Sequence, residues 1–313
     1  MGWQTTSLPS LVTGMVGVWA AMGVWVAVVG GVLGAEGRDM RSNLCVKPKM
    51  DCDPDLPRYP AQDKITDGQI AEPGSTPWLV SLQDAQYLKP AHFCGGTLLS
   101  HLWVLTTASC VSGYRDSSDF LQVVVGEYDM SVQEGWERTR NVWKVEVHPR
   151  YDEYTHDFDV ALVEMLFPVG FNERIRPLPL PNRKRTCQHN ISFYRHSHVN
   201  AGLYFIAGWG KRGETGDISN VILDAYTPIV PYEDCINAYP NQITDSMLCA
   251  GNVTSGGLQP CHGDWGGALV SKDGIVVGLA SWSSGCGRPG YPGVYTDVTA
   301  VVDWICGVIT FWD

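Results

Sequence analysis

The residues with the clearest chemical meaning lie in Cys261-His262-Gly263-Asp264-Trp265-Gly266-Gly267-Ala268-Leu269. This stretch sets an imidazole and a carboxylate beside a tryptophan, among glycines. Covalent chemistry there would need an attacking atom. The indole of Trp265 has one N–H donor, no lone pair to attack a carbonyl, and no proton that a histidine could usefully take. His262 reads as a rim histidine, because geometry comes before pKa in assigning a base. His101, His148 and His156 are the other imidazoles near chemistry-bearing stretches. Asn190-Ile191-Ser192 and Asn252-Val253-Thr254 are glycosylation sequons. Arg183, Lys184, Arg185, Arg195, His196 and His198 form a basic island in an acidic protein. It reads as a solvated loop or as a partner or heparin-like contact, which a glycan at Asn190 would partly shield.

Composition bounds what these groups can serve. The 313 residues are 44% hydrophobic and 18% charged, as in an ordinary globular protein. The net charge of −11 lies wholly beyond residue 35, which argues against nucleic acid or an anionic membrane as a general partner. Leu11 to Leu33 is an uncharged, mostly apolar run closed by Leu33-Gly34-Ala35. It predicts a signal peptide over 1–35, and an uncleaved anchor is the alternative because the run is long enough to span a bilayer. Membrane contact is expected only in that second case. Either route leads to an oxidising compartment, where ten cysteines fit disulfides. Residues 36–64 are rich in Pro, Asp and Lys and read as a pro-segment or linker without its own core.

The elements that position the chemistry are short. Trp78 to Leu82, Thr97 to Thr106, Leu121 to Val125, Val142 to Val147 and Val160 to Met165 are apolar runs bounded by Gly, Pro, Asn and Asp. Such runs predict β-strands joined by tight turns, in a sandwich or barrel. Only Val298 to Trp312 has extended helical spacing, with Val302, Ile305, Ile309 and Trp312 on one face.

Seven ordered motifs resemble the chymotrypsin/trypsin-like serine protease family over residues 65–313. They include Cys94-Gly95-Gly96-Thr97-Leu98, Asp159-Val160-Ala161-Leu162, Gly208-Trp209-Gly210, the Cys261–Leu269 stretch and Pro292-Gly293-Val294-Tyr295-Thr296. The resemblance implies an all-β fold of two packed six-stranded antiparallel barrels with a C-terminal helix and a cleft between the barrels. It places Ser109 at the base position, Asp159 at the orienting carboxylate and Trp265 at the nucleophile. A serine hydroxyl cannot accept a proton near neutral pH. Loss of either base or nucleophile costs about six orders of magnitude in comparable hydrolases.

The same resemblance assigns further sites. Lys64-Ile65 is similar to the activation junction, whose freed ammonium would pair with Asp264. The alternative is an exposed linker lysine. Gly263 and Trp265 would supply the oxyanion-hole N–H groups, with the indole lying across that space. Gln259 would form the base of the specificity pocket and Ser283 and Gly293 its walls, with Trp265 as a plug. A neutral amide there cannot neutralise a Lys or Arg side chain. Glu127, Glu134 and Glu137 would supply carboxylates, and Asp129 and Val132 carbonyls, to a Ca²⁺ loop. A solvated acidic turn is the alternative, and no cofactor is required. The implied bridges are Cys94–Cys110, Cys235–Cys249 and Cys261–Cys286, while the family's bridge between the positions of Tyr204 and Ser271 is absent. Either Cys45 or Cys52 reaches Cys187, because the usual acceptor is Pro179, or Cys45–Cys52 and Cys187–Cys306 pair.

The expectation is therefore a secreted, catalytically inactive homologue that binds extracellular proteins, proteases or their substrates, as cofactor, scaffold or decoy in a proteolytic cascade. A serine-type endopeptidase with a displaced mechanism and a structural extracellular glycoprotein are the alternatives.

Overall fold

The computed structural model describes residues 68–86, 90–181 and 202–311. The expected signal peptide and pro-segment, Lys64, Ile65, Cys45, Cys52, Cys187, Asn190 and the basic island lie outside the described residues. Among the described residues no helix is long and apolar enough to cross a membrane.

The strands are β1 (Gln69–Ile70), β2 (Leu79–Asp84), β3 (Ala91–Leu98), β4 (Trp103–Thr106), β5 (Leu121–Val125), β6 (Arg138–Val147) and β7 (Ala161–Met165). They continue with β8 (Leu203–Gly208), β9 (Leu223–Pro228), β10 (Met247–Ala250), β11 (Ala268–Val270), β12 (Val276–Trp282) and β13 (Gly293–Asp297). The helices are α1 (Ala108–Val111), α2 (Tyr232–Ala238) and α3 (Val298–Phe311). All pairings are antiparallel, and β2-β3-β4-β7-β6-β5 close into a barrel.

The second sheet runs β1-β9-β8-β11-β12-β13-β10. It curls back on itself just past β9, where Ile229 bridges Ala250 of β10 and Val230 N–H donates to Cys249 O at 2.8 Å. Six strands thus wrap into the second barrel, and β1 adds outside them on β9.

Alternation along single strands explains why the apolar runs look continuous. In β4, Val104 points into the first barrel, whereas Trp103 and Leu105 join a cluster shared with the second barrel and α3. In β7, Ala161, Val163 and Met165 face inward and Leu162 outward into that shared cluster. Both faces of these strands are buried, so period two does not show as polar alternation. Val301, Val302, Ile305 and Ile309 of α3 cover the shared cluster. Burying each such side chain contributes about 1.5–3 kcal/mol before the entropy of ordering it.

The run Thr97 to Thr106 is two strands rather than one. Leu99 N–H bonds Trp103 O at 2.9 Å, and Ser100 Oγ accepts the N–H groups of Leu102 at 3.3 Å and Trp103 at 3.1 Å. A serine side chain that satisfies the backbone locally makes a turn at no loss of hydrogen bonds. Cys94–Cys110, Cys235–Cys249 and Cys261–Cys286 are bridged, and Cys306 is also disulfide-bonded to a partner outside the described residues.

Candidate active site

Asp159 sits where the loop after β6 returns to the core. Phe158 and His156 both have left-handed backbones, with φ of 51° and 57°. The loop is fastened across the cleft: Phe158 N–H donates to Ser246 Oγ at 2.9 Å. Asp157 Oδ1 accepts Ser246 Oγ and Thr244 Oγ1, both at 2.6 Å. These contacts hold two strained residues in place, a cost of order 1–3 kcal/mol each.

The Asp159 carboxylate has no exposed surface. Oδ1 accepts Ser109 N–H at 2.7 Å, and Oδ2 accepts Ser109 Oγ at 2.8 Å and Ser281 Oγ at 2.5 Å. Burial raises its pKa, and the bonds from Ser281 and Ser109 only partly offset that. Ser281 lies near the end of β12. Its contact with Asp159 spans 122 positions and has no local signal.

Ser109 lies in the first turn of α1 and directs its proton at Asp159. The lone pairs left on a neutral hydroxyl are far too weakly basic to take a proton near neutral pH. His156 Nδ1 lies 3.9 Å from Asp159 Oδ2, beyond hydrogen-bond reach, and Nδ1 has no hydrogen-bond partner. Of the histidines named from sequence, it is the one brought beside the carboxylate. His101 bonds Val169 O and stacks on Phe171, and His148 packs between Phe158 and Trp304. His262 is exposed, edge-on to Trp265 with centroids 6.3 Å apart. Its imidazole lies within 4.8 Å of the Glu214 carboxylate, a neighbour from a distant loop that sequence reading missed.

Around position 265 the backbone is tightly held. Trp265 O accepts Gly95 N–H at 2.7 Å, and Gly266 N–H reaches Ala280 O at 2.8 Å. Gly266 has φ of 85°, and a side chain there would run into Thr106 Oγ1 and Gly95 O. The indole is half-buried and packs against the clusters inside both barrels, and so fills the space between them. His262 O accepts Lys211 N–H at 3.0 Å, and no peptide is cis, so the Gly263 N–H points away from Lys211. His92 donates Nε2–H to Gly263 O at 2.9 Å, and burial lowers its pKa to about 4, keeping it neutral.

Asp264 points the other way, into a cavity of about 110 Å³ lined also by Gly208, Gly210, Asp224 and Tyr295. Oδ1 accepts Gly210 N–H at 2.7 Å and Oδ2 accepts Cys261 N–H at 3.1 Å. Side chains at 208 or 210 would collide with this carboxylate, which is why glycine stands there. Burial raises its pKa from 3.8 to about 6, and among the described residues no cation pairs with it. The surface it retains faces the cavity rather than bulk water. The Tyr295 hydroxyl on the same wall is buried without a partner. Lys211 and Arg212 line the same cavity, though neither pairs with Asp264.

Gln259 and Ser283 meet at one carbonyl: Gln259 Nε2 donates to Gly285 O at 3.3 Å and Ser283 Oγ to the same atom at 2.7 Å. A Cβ at Gly293 would stand 3.3 Å from Gln259 Cβ. Asn252 sits in a turn after β10, its Oδ1 accepting Thr254 N–H at 3.1 Å.

In the acidic loop Glu137 accepts the N–H groups of Glu134 at 2.6 Å and Gly135 at 2.7 Å. Asp129 Oδ1 accepts Ser131 N–H at 2.9 Å. Asp129 O also takes Val132 N–H at 2.9 Å. Glu127 is raised to about 7, first by burial and then by the charges of Glu137, Glu134 and Asp129. Glu134 also faces Arg174 Nη1 at 3.9 Å, and the carboxylates of Glu127, Glu134 and Glu137 do not gather within 4.8 Å of one another, so a Ca²⁺ ion would have to draw them together.

A family model described as Trypsin matches residues 65–305. Trypsin-1 of Astacus astacus is 36% identical over 247 residues, covering 77% of this chain and 98% of that protein. Anionic trypsin of Canis lupus familiaris is 37% identical over 79% of this chain and 90% of its own length. Trypsin 5G1 of Aedes aegypti is 38% identical, over 69% of this chain and 74% of its own. The matched stretch takes in both barrels and the cleft residues just described, and the chain belongs to the trypsin family of serine endopeptidases.

Proposed function

We propose that this chain is a non-catalytic member of the family, secreted, which acts by binding proteins as a cofactor, scaffold or decoy in an extracellular proteolytic cascade. The observation that carries the reading is the pairing of Ser109 with Asp159 where a base is needed, opposite Trp265 where a nucleophile is needed. Peptide hydrolysis by this fold requires an atom to attack the carbonyl and a base to take its proton. An indole attacks nothing, and the hydroxyl of Ser109 accepts nothing near neutral pH. Binding contacts and the N–H groups of Gly263 and Trp265 would leave at most about 10³–10⁴ over water, and the indole crowds that space.

The domain reading is a signal peptide over 1–35, a pro-segment over 36–64 and the protease-like domain over 65–313. Cleavage after Lys64 would free the Ile65 ammonium, and its proposed seat is the Asp264 cavity. Glu127, Glu134 and Glu137, with the carbonyls of Asp129 and Val132, would hold Ca²⁺, which supplies structural charge balance and no chemistry. Asn190 and Asn252 are the proposed glycan sites.

Labelling with an active-site-directed fluorophosphonate tests the reading. No labelling of the folded, cleaved chain is expected, and stoichiometric labelling would overturn it. One observation favours the second reading, a displaced hydrolase: His156 stands 3.9 Å from Asp159.

A further inference from the structure

We propose that Tyr154 is O-sulfated during secretion, at the apex of the acidic turn that leads into Asp159. The proposal rests on the secretory routing above and adds a modification site to it.

Tyr154 is 88% exposed and is the one exposed side chain among the described tyrosines. Tyr151, three residues earlier, packs against the first barrel's cluster. The apex is held from below. Asp152 N–H bonds Asp157 O at 3.1 Å, His156 N–H bonds Asp152 O at 2.8 Å, and Asp152 Oδ1 accepts Tyr154 N–H and Thr155 N–H, both at 2.9 Å. Residues 152–155 are all exposed, so the phenol is open to solvent and directly follows Asp152 and Glu153 in the chain. Those backbone bonds lower the Asp152 pKa and keep it ionised. Arg150 is the one Arg or Lys between residues 145 and 173, and its guanidinium lies over the Phe158 ring at 3.9 Å. An exposed tyrosine beside fixed anions is what a transferase with a basic cleft can recognise and reach.

The chemistry needs an activated sulfate donor, a mixed anhydride of sulfate and a nucleotide phosphate. The phenolic oxygen attacks sulfur, an O–S bond forms, and the bond from sulfur to the phosphate oxygen breaks. The phosphate leaves with the electron pair, the phenolic proton passes to the transferase's base, and nothing is oxidised or reduced. The product places a permanent anion beside Asp152 and Glu153, a knob suited to an arginine-rich partner surface.

The test expresses the full chain in sulfation-competent secretory cells, with a known sulfated protein as control, and locates the added group by fragmentation of the secreted product. One sulfuryl group on Tyr154 is expected, lost in Tyr154→Phe, kept in Tyr151→Phe, absent after chlorate treatment and resistant to phosphatase. Secreted chain left unmodified while the control is sulfated overturns the proposal and leaves the routing intact. Chain retained in the cell overturns both. A group that persists in Tyr154→Phe, or that phosphatase removes, also overturns it.

Discussion

The isolated charge of Asp264 yields a stability prediction whose size follows from the structure. Its pKa is 3.8 when solvated and about 6 in the fold, raised by burial. A group with a raised folded pKa binds its proton more tightly in the native state. Its contribution is therefore complete below 3.8 and is lost as pH rises through about 6. A difference of about two units corresponds to about 3 kcal/mol, at about 1.36 kcal/mol per unit. The uncleaved chain should become less stable by up to that amount between about pH 4 and about pH 7. Asp264→Asn should remove the slope. Its amide would face the Cys261 N–H, adding a pH-independent loss of about 1–3 kcal/mol. Glu127 contributes a slope of the same sign through its shift to about 7, so the readout is the difference between parent and variant. After cleavage following Lys64, an ammonium in the cavity would depress the Asp264 pKa, and stability would instead rise with pH. Urea denaturation across this window, on uncleaved, cleaved and Asp264→Asn protein, measures all three. Identical slopes for the uncleaved parent and Asp264→Asn would refute the reasoning.

Three further perturbations follow. Ser109→His combined with Trp265→Ser, in chain cleaved after Lys64, should raise ester turnover by several orders of magnitude, while each single change stays within about tenfold of the parent, since base and nucleophile act as a unit. Strong turnover by Trp265→Ser alone would instead identify His156 as a base. Adding Ca²⁺ at about 100 times its dissociation constant should stabilise the chain by about 2.7 kcal/mol in thermal melts, an effect that EDTA removes and Glu127→Gln weakens. An unmoved melting temperature in the parent would count against the loop as a metal site. Gly210→Ala pushes a carbon into the Asp264 carboxylate and should cost about 1–3 kcal/mol or more. Gly213→Ala meets nothing within 4 Å and should stay within about 0.5 kcal/mol, both read by chemical denaturation.

What could be read in the chain was whatever local pattern decides. The strands of the first barrel follow from runs such as Leu121 to Val125 and the C-terminal helix from the spacing of Val302, Ile305 and Ile309. The break inside Thr97 to Thr106 was hidden because the turn uses Leu99, Leu102 and a single serine, with no Gly, Pro, Asn or Asp to mark it. Site positions were legible wherever a motif carried them, as with Ser109, Asp159 and Trp265. Contacts between motifs were not. The Ser281 bond to Asp159 and the Glu214 bond to Cys286 N–H cross 122 and 72 positions and arise only when the barrels close. His156 approaches Asp159 where it and Phe158 adopt left-handed backbones, a conformation that histidine accepts more readily than phenylalanine and that no local motif announces.

The cleft holds a polar network around Asp159 that serine hydroxyls satisfy in part, with His156 Nδ1 left without a partner. A buried carboxylate stripped of its partner costs several kcal/mol. Asp159 offsets part of that cost: the hydroxyls of Ser109 and Ser281 and the Ser109 N–H all donate to it, while burial still raises its pKa. Ser109 is short enough to bond the carboxylate from α1 without reaching into the cleft. The Trp265 indole then covers the space between the barrels with apolar surface on both sides. The Gly263 turn, the Asp264 cavity and the bridged loops hold their geometry around that filled space. Under the proposed reading, a cleft so filled would present its rim to another protein without processing it, and the double variant above tests that separation of shape from chemistry.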